Sequence, residues 1–107
     1  MINHIETIKQ LKENYSIDEY LELLLAMADK TRQEIITLFA SQKEICANDI
    51  AKNFVLSRPT ISHHLNLMKR AKLLNARKVG KIVYYSFNKS YVIKLMDSIL
   101  NCIKNSC

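Results

Sequence analysis

Apolar residues recur along this chain at changing intervals, and the changes divide it into elements. Ile2, Ile5, Ile8 and Leu11 return every third residue, a narrow stripe that predicts a first helix ending near Asn14 and needing a partner surface. In SIDEYLELLLAM, Ser16 and Glu19 stand at capping-box spacing; Tyr20, Leu21, Leu24, Leu25 and Met27 after them predict a strongly apolar helix at the centre of the core. Asp29 can cap a third helix in DKTRQEIITLFA, with Ile35, Ile36, Leu38 and Phe39 expected inward and Lys30, Arg32 and Glu34 outward on a solvated face.

Two short helical patterns follow closely. ANDIAKNF turns Ile50, Ala51 and Phe54 inward; after Val55, Leu56 and Ser57 comes SRPTISHHLNLMKR, in which Ile61, Leu65 and Met68 share one face. Two helices across so short a turn predict a helix-turn-helix over residues 47–71, with Ser57 or Arg58 as cap and Pro59 in the first helical turn. Past Leu74 the period falls to two: in ARKVGKIVYYSF, Ile82 and Tyr84 alternate with Val83, Tyr85 and Phe87, predicting a hairpin over 75–87 with Arg77, Lys78 and Lys81 around its tip. Val92, Leu95, Met96, Ile99 and Ile103 then return to helical spacing behind Asn88 or Ser90. Little core is left for this helix, over 89–105, to cover, so its stripe and that of residues 1–14 are expected to meet a second copy of the chain. The fold expected is mainly α with a small β-hairpin.

Composition narrows the class. A chain of 107 residues that is 49% hydrophobic supports one small domain over 1–107, and a single Gly and a single Pro leave no flexible joint. The net charge of +6 is unevenly placed: residues 1–50 hold 5 Lys+Arg and 9 Asp+Glu, residues 51–107 hold 11 and 1. Basic excess confined to one half suggests a phosphate-facing surface. The chain has no apolar run long enough to span a membrane and no signal-peptide pattern, so a cytoplasmic protein is expected. Three widely spaced cysteines, Cys46, Cys102 and Cys107, fit reduced thiols and not a disulfide framework.

The adjacent His63 and His64 raise the question of a metal. Helical geometry sends His63 roughly 200° from Ile61, straight outward, and leaves His64 at the margin of the apolar stripe, so the two rings diverge and cannot grip one ion. His63 shares its face with Pro59, Ser62, Asn66 and Arg70, flanked by Arg58 and Lys69, a surface of small, amide and cationic side chains. Such groups compare base edges and neutralise phosphates. Candidates for contacting double-stranded DNA are Ser57, Arg58, Thr60, Ser62, His63 and Asn66 on the helix and Arg77, Lys78 and Lys81 on the hairpin. Ser57 can equally serve only as a cap. No paired carboxylates, glycine-rich phosphate loop or nucleophile beside a base is present, so no enzymatic activity and no cofactor are expected.

The order helix-turn-helix, basic hairpin, helix resembles the ArsR/SmtB type of winged helix-turn-helix repressor over roughly residues 18–105. AMADKTRQEIITLF is similar to the family's A-L-A-D-P-T-R-L-x-I-L-x-L-L, DIAKNFVLSRPTISHHLNLMKRAKLL to its D-L-A-x-x-L-x-L-S-x-x-T-V-S-x-H-L-x-x-L, and RKVGKIVYYSF to its R-x-G-R-x-V-Y-Y wing. The resemblance implies a homodimeric transcriptional repressor whose recognition helix enters the major groove, whose wing meets the backbone, and whose first and last helices dimerise. The alternative is a winged-helix module whose basic surface meets an acidic protein.

The chain also departs from the family pattern. Val55 and Lys72 stand where glycines are common, and either those turns avoid positive φ or they carry strain. The metal box E-L-C-V-C-D-L is EICANDI here, with Asn48 in place of the second Cys. The positions of the C-terminal zinc ligands fall on Lys89, Tyr91, Cys102 and Asn105. No metal site is therefore expected, and any sensing by the chain's own residues is expected to run through Cys46, or through Cys102 and Cys107.

Overall fold

The computed structural model describes residues 15–105; the stripe of residues 1–14 and Cys107 lie outside that range. The first described helix, α1 (Ile17–Met27), starts at the expected capping box: the Glu19 amide donates to Ser16 Oγ at 3.1 Å and the Ser16 amide to Glu19 Oε1 at 3.4 Å. Its core-facing residues are Tyr20, Leu23 and Ala26, whereas Leu21, Leu24 and Leu25 are 52%, 44% and 59% exposed. The expectation that those three leucines lie in the core is thereby corrected. The helix is apolar on two sides, and the pattern alone does not say which side the rest of the chain covers.

Asp29 caps α2 (Lys30–Leu38), its carboxylate accepting the Arg32 amide at 3.0 Å. Ile35 is fully buried and Ile36, Leu38 and Phe39 pack on the core around it. Arg32 is a second correction: its guanidinium does not simply face solvent but donates to the Ala26 and Leu25 carbonyls at 2.7 and 3.2 Å.

A two-residue strand that the sequence pattern did not announce, β1 (Ile45–Cys46), leads into α3 (Ala47–Ala51). This helix is shorter than ANDIAKNF. Beyond Ala51 the Asn53 and Phe54 amides reach carbonyls three residues back, so the last turn tightens, and Asn53 Nδ2 holds the Asp49 carbonyl at 2.9 Å. The recognition-type helix α4 (Arg58–Arg70) then packs on α1, α2, α3 and the hairpin through Ile61, Leu65 and Met68, each at most 1% exposed.

The hairpin consists of β2 (Leu74–Val79) and β3 (Ile82–Phe87), closed by a two-residue loop in which Gly80 has φ +61°, as the first position of such loops requires. The short β1 pairs with the other edge of β3, giving the antiparallel order β1-β3-β2. Lys72, between α4 and β2, has φ +63°, while Val55 avoids positive φ. Asn88 Nδ2 donates to the Lys72 carbonyl at 2.9 Å and the Asn88 amide to the Leu73 carbonyl at 3.0 Å, which pins the left-handed turn.

The last helix, α5 (Lys89–Asn105), returns over the core with Val92, Leu95 and Cys102 buried. Leu95 is therefore core of its own chain, while Ile93, Leu100 and Ile103 are 47%, 47% and 60% exposed. A polar staple joins α5 to α1: the Tyr91 hydroxyl donates to Glu19 Oε2 at 3.1 Å, and Lys72 lies 3.9 Å from the same carboxylate and above the Tyr91 ring. Helix-turn-helix followed by a hairpin wing is the winged helix-turn-helix architecture. No helix among the described residues is long and apolar enough to cross a membrane.

Candidate nucleic-acid interface

The sequence of α4 sorts its side chains into two populations. Ile61, Leu65 and Met68 recur at helical spacing and are locked inward; Arg58, Pro59, Thr60, Ser62, His63, Asn66, Lys69 and Arg70 are all exposed. Ser57 caps the helix, its Oγ accepting the Thr60 amide at 3.3 Å and lying 2.8 Å from Thr60 Oγ1. Those two candidates are thus brought together, each satisfying the other at the helix start. Ser62, His63 and Asn66 project from the next turns. His64 is only partly exposed and turns toward Asp29, with Nδ1 4.0 Å from its carboxylate.

On the wing, strand alternation sends Arg77 and Lys78 to opposite faces. Arg77 is engaged within the chain: its Nε and Nη2 donate to the two Glu44 carboxylate oxygens at 3.0 and 2.9 Å, and its guanidinium lies over the Tyr84 ring at 5.1 Å. The Arg77 fork in turn holds the Glu44 carboxyl below its usual value. Lys78 and Lys81 are exposed and, like Arg58, Lys69 and Arg70, belong to none of the ion pairs among the described residues. Half-exposed Val79 and Ile82 face each other beside the turn. The Glu44–Arg77 pair was invisible to sequence reasoning because its members stand 33 residues apart and neither belongs to a periodic pattern.

Of the residues at the family's metal positions, Tyr91 is occupied with Glu19, and Cys46 directs its thiol to Asp49, whose carboxyl it holds below the usual value together with Lys52. Among the described residues no group of three or more His, Cys, Asp or Glu could hold a metal ion. The chemistry available on the surface of α4 and the wing is therefore that of hydrogen-bond donors, acceptors and cations presented on rigid elements.

Comparison with known proteins agrees with this geometry. The family model for the bacterial regulatory proteins of the arsR family matches residues 29–76, from the Asp29 cap through the recognition-type helix into the wing. The transcriptional repressor SdpR of Bacillus subtilis is 37% identical over 78 residues, covering 73% of this chain and 86% of its own. An SmtB homolog of Synechocystis, also a transcriptional repressor, is 30% identical over 107 residues, covering 96% of this chain and 80% of its own. Among solved structures, an ArsR-like transcriptional regulator from Rhodococcus superposes with a TM-score of 0.72 at 25% identity over 82% of each chain. A homodimeric winged helix-turn-helix DNA-binding domain from Mycobacterium bovis superposes with a TM-score of 0.65 at 26% identity, covering 84% of this chain and 82% of its own. With the cap, the helix-turn-helix and the start of the wing matched in order, and relatives of this identity covered over most of their length, the chain belongs to the arsR family of bacterial regulatory proteins.

Proposed function

We propose that this protein is a homodimeric transcriptional repressor that binds an inverted-repeat operator in double-stranded DNA, with α4 in the major groove and the wing on the backbone. The observation that carries this reading is the two-sided α4: an apolar face held rigidly in the core and an opposite face of uncompensated cations and hydrogen-bonding side chains. Arg58, Ser62, His63 and Asn66 compare base edges, with Thr60 and Ser57 at the start of the helix within reach of the backbone. Lys78 and Lys81 neutralise phosphates. Arg77 first orients the wing against Glu44 and contacts DNA only if it exchanges that partner. Exposed leucines and isoleucines on α1 and α5, together with the Ile2, Ile5, Ile8 and Leu11 stripe, supply the contact between two copies.

Titration of labelled duplexes at several salt concentrations tests this. Lys78→Ala with Lys81→Ala should weaken binding to all duplexes alike and lower the salt slope by about one for each phosphate left without its lysine. A shallow salt dependence across unrelated duplexes, with tight binding to an acidic protein instead, would identify the surface as a protein-interaction module.

A further inference from the structure

Arg32 joins three helices. From the first turn of α2 it closes the C-terminal end of α1, donating through Nε to the Ala26 carbonyl at 2.7 Å and through Nη2 to the Leu25 carbonyl at 3.2 Å. Its remaining nitrogen, Nη1, lies 3.1 Å from Nδ1 of His64, in the middle of α4. A guanidinium can only donate, so Nδ1 must be the acceptor and the ring proton must sit on Nε2. The charged groups facing the ring are Asp29 ahead of α2, Arg32 on α2 and His63 beside it on α4. Burial first, then Arg32 and His63, disfavour the imidazolium, against the opposing pull of Asp29.

Protonation of Nδ1 would place a cation against the Arg32 guanidinium and remove the acceptor. The α4 contact is the one guanidinium bond of Arg32 that depends on a titratable partner, since the two α1 contacts go to carbonyls. The rest of the α4 anchorage is apolar and non-directional, so this hydrogen bond is a directional restraint on how the helix is seated between α1 and α2.

We propose that Arg32 is a positioning residue for the DNA-reading helix, acting through neutral His64. The hydrogen bond ties α4 to the C-terminal end of α1, whose exposed leucines form part of the proposed dimer contact, so operator affinity depends on the protonation of a side chain that touches no base. This inference rests on the DNA-binding reading above.

Its test combines a free-protein measurement with a binding measurement. Histidine ring nitrogen NMR of the free protein near neutral pH should show His64 Nδ1 unprotonated and accepting a hydrogen bond, and Arg32→Lys should move that resonance toward free imidazole. A wild-type Nδ1 that carries the proton would overturn the contact. His64→Asn supplies an amide oxygen close to the Nδ1 position and cannot titrate. Operator affinity of the wild type and this variant should agree within about twofold near pH 8, and the wild type should fall progressively behind the variant as pH is lowered below 6.5. Repeating the comparison with His63→Gln in both proteins takes the neighbouring ring out of the ratio. A ratio independent of pH, or a wild type that gains on the variant in acid, would overturn the positioning role. Should His64→Asn not fold, Arg32→Lys serves in its place: it should bind operator several-fold more weakly than the wild type near pH 8 and lose the wild type's relative acid weakening. A chain with the expected NMR signature that bound no duplex at any pH would refute the DNA reading, and with it the positioning role, while leaving the contact established.

Discussion

Ser57 accepts the Thr60 amide and touches the Thr60 hydroxyl, so its oxygen is already committed to the start of α4. Ser57→Ala should cost about 1 kcal/mol of fold stability. Arg58→Ala and His63→Ala, both on exposed positions, should leave stability nearly unchanged and instead blur sequence preference, at about 1 to 3 kcal/mol for each base edge no longer read. Paired denaturation and binding titrations separate the two patterns; a reversal, with His63→Ala unfolding the chain, would misassign the face. Lys72 shows where a residue rule was readable and its outcome was not. A lysine in a family glycine position signalled a choice between strain and an altered turn, and the structure takes the positive φ and ties the turn through Asn88. Asn88→Ala should therefore destabilise by about 1 kcal/mol, the worth of one ordinary hydrogen bond, measured as a shift of the denaturant midpoint.

At the scale of elements, helix starts were legible because caps are local: Ser16, Asp29 and Ser57 all act within three residues of their partners. Helix faces were legible where one side is polar, as in α4, and illegible in α1, where both sides are apolar. What joins elements was not legible, because Arg77–Glu44 and Tyr91–Glu19 span 33 and 72 residues. The second of these has a pH signature. The Ser16 amide, with help from the Tyr91 hydroxyl and Lys72, holds Glu19 below its usual 4.5 against the opposing effect of burial. A depressed carboxyl stabilises the fold fully above its unfolded value and loses that contribution as pH falls through the folded one. Burial and then Glu19 push Tyr91 from 10.0 up to about 12, so its contribution is present below 10.0 and lost as pH rises toward 12. Thermal unfolding should accordingly show stability falling below pH 4.5 and above pH 10.0, with Tyr91→Phe flattening both limbs. Identical limbs in the variant would mean the staple contributes nothing. On the wing, Glu44→Gln should free Arg77 and remove an acidic neighbour of the proposed phosphate-facing surface; affinity for all duplexes should rise by a few-fold, and a fall would mean the pair is needed to hold the wing in place.

The molecule as a whole has two surfaces with opposite requirements. The polar, cationic one carries the groups proposed to read DNA, while exposed Leu21, Leu24 and Leu25 on α1 and Ile93, Leu100 and Ile103 on α5 leave apolar area open among the described residues. Hydrophobic period marked the last helix correctly but could not divide its stripe between the chain's own core, which takes Leu95, and a second copy. Ile103→Glu should leave the protomer folded and shift sedimentation toward monomer, whereas Leu95→Glu should unfold it. Two-fold pairing has a consequence for DNA, because two recognition helices related by symmetry must read the same half-site twice, about 10 to 10.5 base pairs apart. The most direct measurement is selection of bound duplexes from a random pool by the wild-type protein. A two-fold reader should enrich an inverted repeat with half-sites at that spacing; a pool that remains random, or that converges on a single unrepeated site, would contradict it.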